Sequence, residues 1–385
     1  MLMPLDYETL KLVWWVLVGV LLIGFAVTDG FDMGAGTLLP FVGKTDAERR
    51  VVINAVGPHW DGNQVWFITA GGAIFAAWPA VYAAAFSGFY LAMLLVLFAL
   101  FFRPVGFDYR SKIEDPRWRN AWDWGLFIGG TIPPIVFGVA IGNLLQGVPF
   151  HYDNLLRPEY TGSLWGLLFN PFALLVGIVS LAMLTMHGAI YVQMRTEGAV
   201  RQRLRAAASG FSLLYIATFA LAGMIVSFGW FGTQGYEIVS MPPTDALPNP
   251  TAKEVVTGTG LLHNFEQYPA MWIAPLLGFA GALGVLLFAR VNLPGWGFIF
   301  SMLTQAGTIL TAGFAMFPFV MASKTVPSHS LTVWDSPSSH LTLTVMFWAA
   351  VIFIPIILLY TLWCYRSLWG KVTVEQIEAN THSAY

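Results

Sequence analysis

The amino-acid sequence predicts an all-α, polytopic membrane helix bundle, and three observations support that prediction. Of the 385 residues, 57% are hydrophobic and only 10% are charged, far from the mixture that water-soluble domains use. Apolar runs long enough to cross about 30 Å of hydrocarbon, which takes roughly 20 helical residues, recur along nearly the whole chain. No segment between these runs suits a separate soluble domain, so we expect a single membrane domain over residues 1–385.

Nine apolar runs are expected to form transmembrane helices. In chain order they are Leu12–Thr28, Val65–Trp78, Val81–Phe102, Leu126–Leu145, Leu167–Met186, Ala207–Phe228, Trp272–Ala289, Phe298–Met321 and Leu343–Tyr365. The first run lacks a basic leader and a small-residue cleavage site, so we expect it to remain as a span. An odd number of spans places the two termini on opposite sides of the membrane.

The distribution of basic residues predicts the orientation, because Lys and Arg concentrate in cytoplasmic loops. The loops after spans one, three, five, seven and nine, with their flanks, hold 15 of the 19 Lys and Arg. The other four lie on the opposite side: Lys11, Arg157, Lys253 and Lys324. The N-terminus is therefore predicted to be periplasmic and the C-terminus cytoplasmic. A cytoplasmic tail is expected at residues 370–385, and a periplasmic loop at residues 229–269.

The connection between the first two spans has clear helix signals. Thr45 and Glu48 have the spacing of a capping box, which predicts the start of a helix. We expect this helix to continue into span two, with a kink at Gly57-Pro58.

Charge, cysteine and histidine content exclude several classes of function. A net charge of −2 without a basic terminus does not suit nucleic-acid binding, and the single cysteine, Cys364, cannot form a disulfide within the chain. Haem in a helix bundle needs axial ligands that face the cofactor, yet only His59 and His187 lie in or beside spans. We therefore expect no metal ligand in this chain, and a His187 that is hydrogen-bonded inside the bundle.

Ionisable residues from three consecutive spans are expected at one membrane level. The polar segment His59-Trp60-Asp61-Gly62-Asn63-Gln64-Val65-Trp66 leads directly into span two, and acids and arginines flank spans one and three. The residues concerned are Asp29, Asp32, His59, Asp61, Arg103, Asp108 and Arg110. Because charge inside hydrocarbon is costly, such residues usually pair, face the bundle interior or line a water path.

Two interpretations of this level stay open. In the first, it is a proton-uptake route from the cytoplasm, with Asp61 deepest and Asp29, Asp32 and Asp108 nearer the mouth. In the second, it is a structural ion network, with Arg103 and its neighbours capping helix ends. A proton-coupled secondary transporter could use the same acids, and the prolines inside three spans would suit its broken helices. These prolines are Pro133-Pro134, Pro275 and Pro355.

Several motifs closely resemble subunit 2 of the cytochrome bd quinol oxidases. They are Gly30-Phe31-Asp32-Met33-Gly34, His59-Trp60-Asp61-Gly62-Asn63-Gln64, Phe86-Ser87-Gly88-Phe89-Tyr90, Phe102-Arg103-Pro104-Val105-Gly106-Phe107-Asp108-Tyr109-Arg110, Gln146-Gly147-Val148-Pro149-Phe150, Phe317-Pro318-Phe319-Val320-Met321 and Leu359-Tyr360-Thr361-Leu362-Trp363. The resemblance extends from about Asp6 to the C-terminus, and it is weakest at residues 232–259.

The resemblance implies a nine-helix subunit beside a haem-bearing subunit 1 in a bacterial inner membrane. The complex would oxidise quinol and reduce O2 to water with haems b and d, all held by subunit 1, so no catalytic residue is expected here. By the same resemblance, Asp61 matches a proton-pathway acid, Asp108 a second acid near that route, and Trp66 a place of oxygen entry. Small single-helix subunits and a structural quinone in this chain are further implications.

Overall fold

The computed structural model describes residues 5–258 and 260–379 as a bundle of long helices with short β-hairpins at one end. The helices are α1 (Tyr7–Val42), α2 (Asp46–Val56), α3 (Trp60–Ala77), α4 (Pro79–Gly88), α5 (Tyr90–Leu100), α6 (Phe102–Tyr109), α7 (Pro116–Gln146), α8 (Leu164–Leu168), α9 (Pro171–Arg195), α10 (Gly198–Ser227), α11 (His263–Gln267), α12 (Ile273–Arg290), α13 (Pro294–Met316), α14 (His340–Ser367) and α15 (Val374–Ala379). The strands form three antiparallel pairs: β1 (Phe150–Tyr152) with β2 (Pro158–Tyr160), β3 (Tyr236–Ser240) with β4 (Glu254–Thr257), and β5 (Phe319–Met321) with β6 (Leu331–Thr332).

Among the described residues, eight helical segments are long and apolar enough to cross a membrane. They are Tyr7–Val42, Tyr90–Lys112, Pro116–Gln146, Pro171–Arg195, Gly198–Ser227, Pro269–Arg290, Pro294–Met316 and His340–Ser367. The prediction of a multi-pass, all-α membrane protein is thus confirmed. The predicted second span falls on α3, which is not among the eight; Asp61, Asn63 and Gln64 occupy its first turn and a half.

Helix α1 is much longer than the sequence suggested. Asp29 and Asp32 were expected to end the first span, but the helix runs unbroken to Val42, so both acids lie well inside it. The small residues that follow them let α1 continue between α7 and α9. This half of the helix contacts protein rather than lipid, so it does not need large apolar side chains. A prediction that relied on apolar runs therefore did not include it.

The predicted third span, Val81–Phe102, is divided. Helix α4 ends at Gly88 and α5 begins at Tyr90. The hydroxyl of Tyr160 donates a hydrogen bond to the backbone oxygen of Ala84, and the ring of Tyr160 packs where a side chain on Gly88 would lie. A side chain that enters the hydrogen-bond ladder of a helix in this way is a common cause of a break.

The prolines expected to interrupt spans do not do so. Helix α7 continues through Pro133-Pro134, α14 continues through Pro355, and Pro275 lies in the first turn of α12. The paired broken helices typical of many secondary transporters are therefore not found at these positions.

The two ends of the bundle differ in character. One end, here called the basic end, carries α2, the α6–α7 turn, the α9–α10 turn and α15. There the capping box of Thr45 and Glu48 is confirmed, and the chain breaks between α2 and α3 at Gly57-Pro58 rather than merely kinking.

The opposite end, here called the hairpin end, carries the three β-hairpins, and its long loop is ordered by an ion pair. The ammonium of Lys253 lies 2.7 Å from a carboxylate oxygen of Asp335, and both side chains are buried. Burial lowers the pKa of Lys253, and the carboxylate of Asp335 opposes that shift. This pair joins the α10–α11 loop to the α13–α14 loop.

Candidate functional site

Close helix crossings place the two acids of α1 in the centre of the bundle. A Cβ added to Gly34 would lie 2.3 Å from the backbone oxygen of Leu184 on α9, and one added to Gly188 would lie 2.6 Å from backbone atoms of α1. On the other side, a Cβ on Gly130 of α7 would lie 2.4 Å from the backbone oxygen of Met33. Glycine at these positions allows the backbones to approach this closely.

Asp29 forms a forked ion pair with Arg103. Nη1 of Arg103 donates to Oδ2 of Asp29 at 2.9 Å, and Nη2 donates to Oδ1. The exposed fractions are 0% for Asp29 and 1% for Arg103, so this pair is removed from solvent. Gly129 makes room for the arginine, since a Cβ there would lie 2.9 Å from Cγ of Arg103. Arg103 comes from α6, so the pair connects α1 to the third predicted span.

Asp32 belongs to the same cluster but has different partners. Its Oδ2 lies 4.0 Å from Nη2 of Arg103 and accepts a 2.8 Å hydrogen bond from Nδ2 of Asn63. The hydroxyl of Tyr365 on α14 donates to Oδ1 of Asn63 at 2.5 Å. The ring of His59 stacks on Tyr365 with 4.4 Å between centroids. A polar chain thus runs from His59 and Tyr365 through Asn63 to Asp32; we call Asp29, Asp32, Asn63, Arg103 and Tyr365 the central cluster.

The central cluster has one acid more than its bases can neutralise. Two carboxylates face one guanidinium, and the exposed fraction of Asp32 is 1%. Within the described part of the chain, Oδ1 of Asp32 and Nε of Arg103 accept or donate no hydrogen bond. A negative charge on Asp32 would therefore be poorly compensated within the described part of this chain.

The sequence predicted Asp61 as the deepest acid of a proton route; within this chain Asp29 and Asp32 are the acids that protein buries, and the place of Asp61 in the route stays a prediction. Its side chain is exposed at the start of α3, whereas Asp29 and Asp32 are buried. Asp61 shares its helix face with Ile68 and Phe75, which are 68% and 60% exposed in this chain. Trp66 points the other way, and its ring packs against Gly24 of α1.

The prediction named Arg103 and Arg110 for a structural ion network; both form ion pairs, but among the described residues they belong to two separate clusters. Arg110 pairs with Asp46 and with the fully buried Asp123 at the basic end. Asp108 is exposed beside them, and no contact connects it to the central cluster among the described residues. Helical spacing explains the separation, because Arg110 follows Arg103 by seven positions, or about two turns.

His187 is engaged on both sides of its ring. Its Nδ1 lies 2.6 Å from the hydroxyl of Ser301, and its Nε2 lies 2.9 Å from the backbone oxygen of Val27. In the part of the chain that the structure describes, no three His, Cys, Asp or Glu side chains group as metal ligands would. These surroundings suit a structural histidine.

Three residues of these networks were missed as functional candidates. Asn63 was visible in the polar segment but was given no role, and Tyr365 contacts it across 302 positions of sequence. Asp123, the eighth residue of α7, was not singled out in the sequence at all. A pairwise contact over such a distance leaves no pattern in a single sequence.

Fold and site together define an integral membrane protein that holds two buried acids beside one buried arginine. The family model described as cytochrome bd terminal oxidase subunit II matches residues 10–368. The chain belongs to this family, as the resemblance of its motifs predicted.

Full-length relatives agree with this assignment. The chain is 59% identical to cytochrome bd-I ubiquinol oxidase subunit 2 of Escherichia coli (strain K12) over 382 residues, covering 99% of this chain and 100% of the relative. It is 32% identical to cytochrome bd ubiquinol oxidase subunit 2 of Bacillus subtilis (strain 168), covering 94% and 97%. Its function is therefore that of subunit 2 of a cytochrome bd ubiquinol oxidase, a quinol:oxygen oxidoreductase complex of bacterial membranes.

A solved structure confirms the fold. The structure of bd oxidase from Geobacillus thermodenitrificans superposes with a TM-score of 0.67 at 16% identity, covering 91% of this chain and 97% of the other. Subunit 2 of such a complex implies a partner subunit 1.

Proposed function

We propose that this chain crosses the inner membrane nine times, with a periplasmic N-terminus and a cytoplasmic C-terminus. Helix α3 supplies the ninth crossing: its 18 residues are about 27 Å long, and Ile68 and Phe75 present an apolar face. The concentration of Lys and Arg at the basic end supports the orientation.

The haems b and d would belong to the partner, subunit 1, where quinol is oxidised and O2 is reduced to water. The residues of this chain fit haem poorly, because both nitrogens of His187 are hydrogen-bonded and His59 stacks on Tyr365. A structural quinone in this chain and small single-helix subunits stay predictions, on which none of the contacts above bears.

The contribution of this subunit to the reaction would be proton uptake from the cytoplasm, and Asp32 would hold the proton. The observation that supports this role is the unneutralised acid of the central cluster. Asp29 is occupied by the fork of Arg103, whereas Asp32 has a free carboxylate oxygen and a single amide donor. A group that is stable with a proton, and close to charge that stabilises its anion, can take up and release that proton during turnover.

The exposed acids would serve a different part of the route. Asp61 lies on an apolar face of α3, where an ionised carboxylate in contact with lipid would cost several kcal/mol. Contact with the partner subunit removes this difficulty, so we assign Asp61 to the shared interface. Asp108 would lie at the cytoplasmic entrance, and His59 between that side and Tyr365. Trp66 would line oxygen access, which is a separate role.

The experiment compares Asp32→Asn and Asp61→Asn in the purified complex. Both variants are expected to slow quinol-driven oxygen consumption and proton uptake at least about tenfold, since a positioned proton-transfer group typically contributes about 10²–10⁴-fold. Haem content and assembly with subunit 1 are expected to stay normal. Glu114→Gln, an exposed acid at the basic end, is the matched control and should leave turnover unchanged.

The outcomes separate conduction from a scaffold role. Normal proton uptake in both aspartate variants would show that the acids serve only packing. Loss of haem together with loss of turnover would also indicate a structural role, because the complex would then be misassembled. Slower uptake in Asp61→Asn alone would restrict the route to the interface and remove Asp32 from it.

A further inference from the structure

A short turn at the hairpin end connects the three β-hairpins. The turn is the 3-10 helix Pro327–His329, which lies between β5 and β6. Nδ1 of His329 accepts a 3.0 Å hydrogen bond from the backbone N–H of Tyr152 on β1. The hydroxyl oxygen of Ser328 accepts a 3.2 Å hydrogen bond from the backbone N–H of Val255 on β4. The turn therefore contacts each of the other two hairpins through one side chain.

The hydrogen bond from Tyr152 needs His329 in a single protonation state. A ring nitrogen accepts a hydrogen bond only when it carries no proton, so the ring must be neutral with its proton on Nε2. Protonation of Nδ1 would place an N–H group opposite the N–H of Tyr152, and two donors cannot bond to each other. Ser328 accepts through a hydroxyl that does not titrate, so its contact with β4 is independent of pH.

The charges around His329 favour its neutral form. Burial lowers the pKa of His329, and the positive charges of His151 and Lys253 lower it further. The acids beside these two cations are already paired with them. Glu159 lies 3.4 Å from Nε2 of His151, and Asp335 lies 2.7 Å from the ammonium of Lys253.

The remaining titratable side chains beside the turn lie on the same elements. They are Tyr152 and Asp153 on the β1–β2 hairpin, Glu254 on β4, and Lys324 on the α13–α14 loop. Burial raises the pKa of Tyr152 to about 12, so its phenol stays neutral. Asp153 pairs with Arg157 at 2.7 Å. His329 and its neighbour His151 are therefore the groups of this contact whose charge changes between about pH 5 and 8.

The contact with His329 restrains the tip of the β1–β2 hairpin rather than its base. At the base, the backbone N–H of Lys324 donates to the backbone oxygen of Val148 at 2.9 Å, a bond that does not titrate. Tyr152 lies at the other end of β1, next to the turn at residues 153–157. Loss of the bond to His329 would therefore loosen the tip while the base stays in place.

We propose that His329 and the N–H of Tyr152 form a pH-sensitive clasp that holds the hairpin tip and opens when His329 is protonated. The clasp is closed above the ordinary pKa of histidine, about 6.5, and opens as the pH falls through the lower pKa of His329 in the folded protein. Opening frees a tip that exposes two leucines, Leu155 and Leu156. The acidity of the solution at the hairpin end thus sets the mobility of this tip, independently of the proton uptake proposed for the central cluster.

Hydrogen–deuterium exchange of the purified complex tests the clasp, with fragmentation that resolves the amide of Tyr152. Exchange rates are divided by the intrinsic rate at each pH. Between about pH 7.5 and about pH 5.0, the protection of this amide should fall at least about threefold, within the range of one hydrogen bond. His329→Asn places an amide oxygen near the position of Nδ1 and does not titrate, so it should keep the same protection at both pH values. His263→Asn, at an exposed histidine of α11, is the control and should behave like wild type.

His151→Asn tests the same clasp without a change in the turn. It removes a positive charge that lowers the pKa of His329, so the loss of protection should move to higher pH. This variant decides the question if His329→Asn leaves the amide unprotected at both pH values. Three results would overturn the proposal: full protection in wild type at about pH 5.0, equal loss in wild type and His329→Asn, and a loss in His151→Asn that stays at the same pH or moves to a lower one.

Discussion

The ion pair of Arg103 makes a sharp test of how the bundle holds its buried acids. Arg103→Met removes the guanidinium that contacts both Asp29 and Asp32 and leaves two carboxylates without it at 0% and 1% exposure. Removing one partner of a buried pair costs about 3–5 kcal/mol, because the remaining charge is uncompensated. Arg103→Met combined with Asp29→Asn also removes the charge of Asp29. The double variant should therefore lose at least about 2 kcal/mol less free energy of unfolding than the two single variants lose together.

The measurement is the unfolding of the purified complex in an SDS titration, followed by tryptophan fluorescence, for wild type, both single variants and the double variant. Arg157→Met is the matched control, since Arg157 pairs with Asp153 at 2.7 Å but is 70% exposed. Exposed pairs contribute at most about 1 kcal/mol, so this control should change the midpoint little.

Additive effects would refute the reasoning. If the loss of free energy of unfolding in the double variant equals the sum of the losses in the two single variants to within about 0.5 kcal/mol, Arg103 and Asp29 are not coupled. The arginine would then stabilise the bundle by packing rather than by charge.

Two further predictions concern other parts of the bundle. Asp335→Asn should destabilise the hairpin end by about 3 kcal/mol, because it leaves the ammonium of Lys253 buried without its carboxylate. Asp245→Asn, a change at an exposed acid of the same loop, is the control and should not destabilise it. Limited proteolysis of the long loop measures the difference, and equal cleavage in both variants would contradict the prediction. Gly34→Ala should lower the free energy of unfolding by about 1–3 kcal/mol, because the added Cβ would lie 2.3 Å from a backbone oxygen. Gly19→Ala is the control: its added Cβ meets nothing within 4 Å, so it should leave the stability in the same SDS titration unchanged or raise it.

The sequence predicted the class of fold because hydrocarbon imposes a simple rule on helix length and composition. That rule failed for helix segments that are surrounded by other helices instead of lipid. The second half of α1 is buried by α7 and α9, so its small residues did not register as a span. The break at Gly88 also lay beyond prediction, since it depends on Tyr160 from a distant hairpin.

The candidate site was predicted in composition but not in geometry. Basic-residue counts and apolar runs placed Asp29, Asp32, Asp61 and Arg103 at one level. Which of these acids faces inward depends on the rotation of each helix, and packing of several helices sets that rotation. Tyr365 was missed for a related reason, because its only signal is a contact across nearly the whole chain.

The glycine contacts on both sides of α1 also limit how this subunit can move. Backbone touches backbone at Gly34 and Gly188, and again at Gly130, so α1 cannot slide or rotate without separating two neighbours at once. We therefore expect a change of charge at Asp32 to be met by rotation of Asp32, Asn63 or Tyr365 on the picosecond to nanosecond scale. If the proposed proton uptake holds, protons would move through this subunit while its helices stay in place, and turnover would not wait for a slow rearrangement of the bundle.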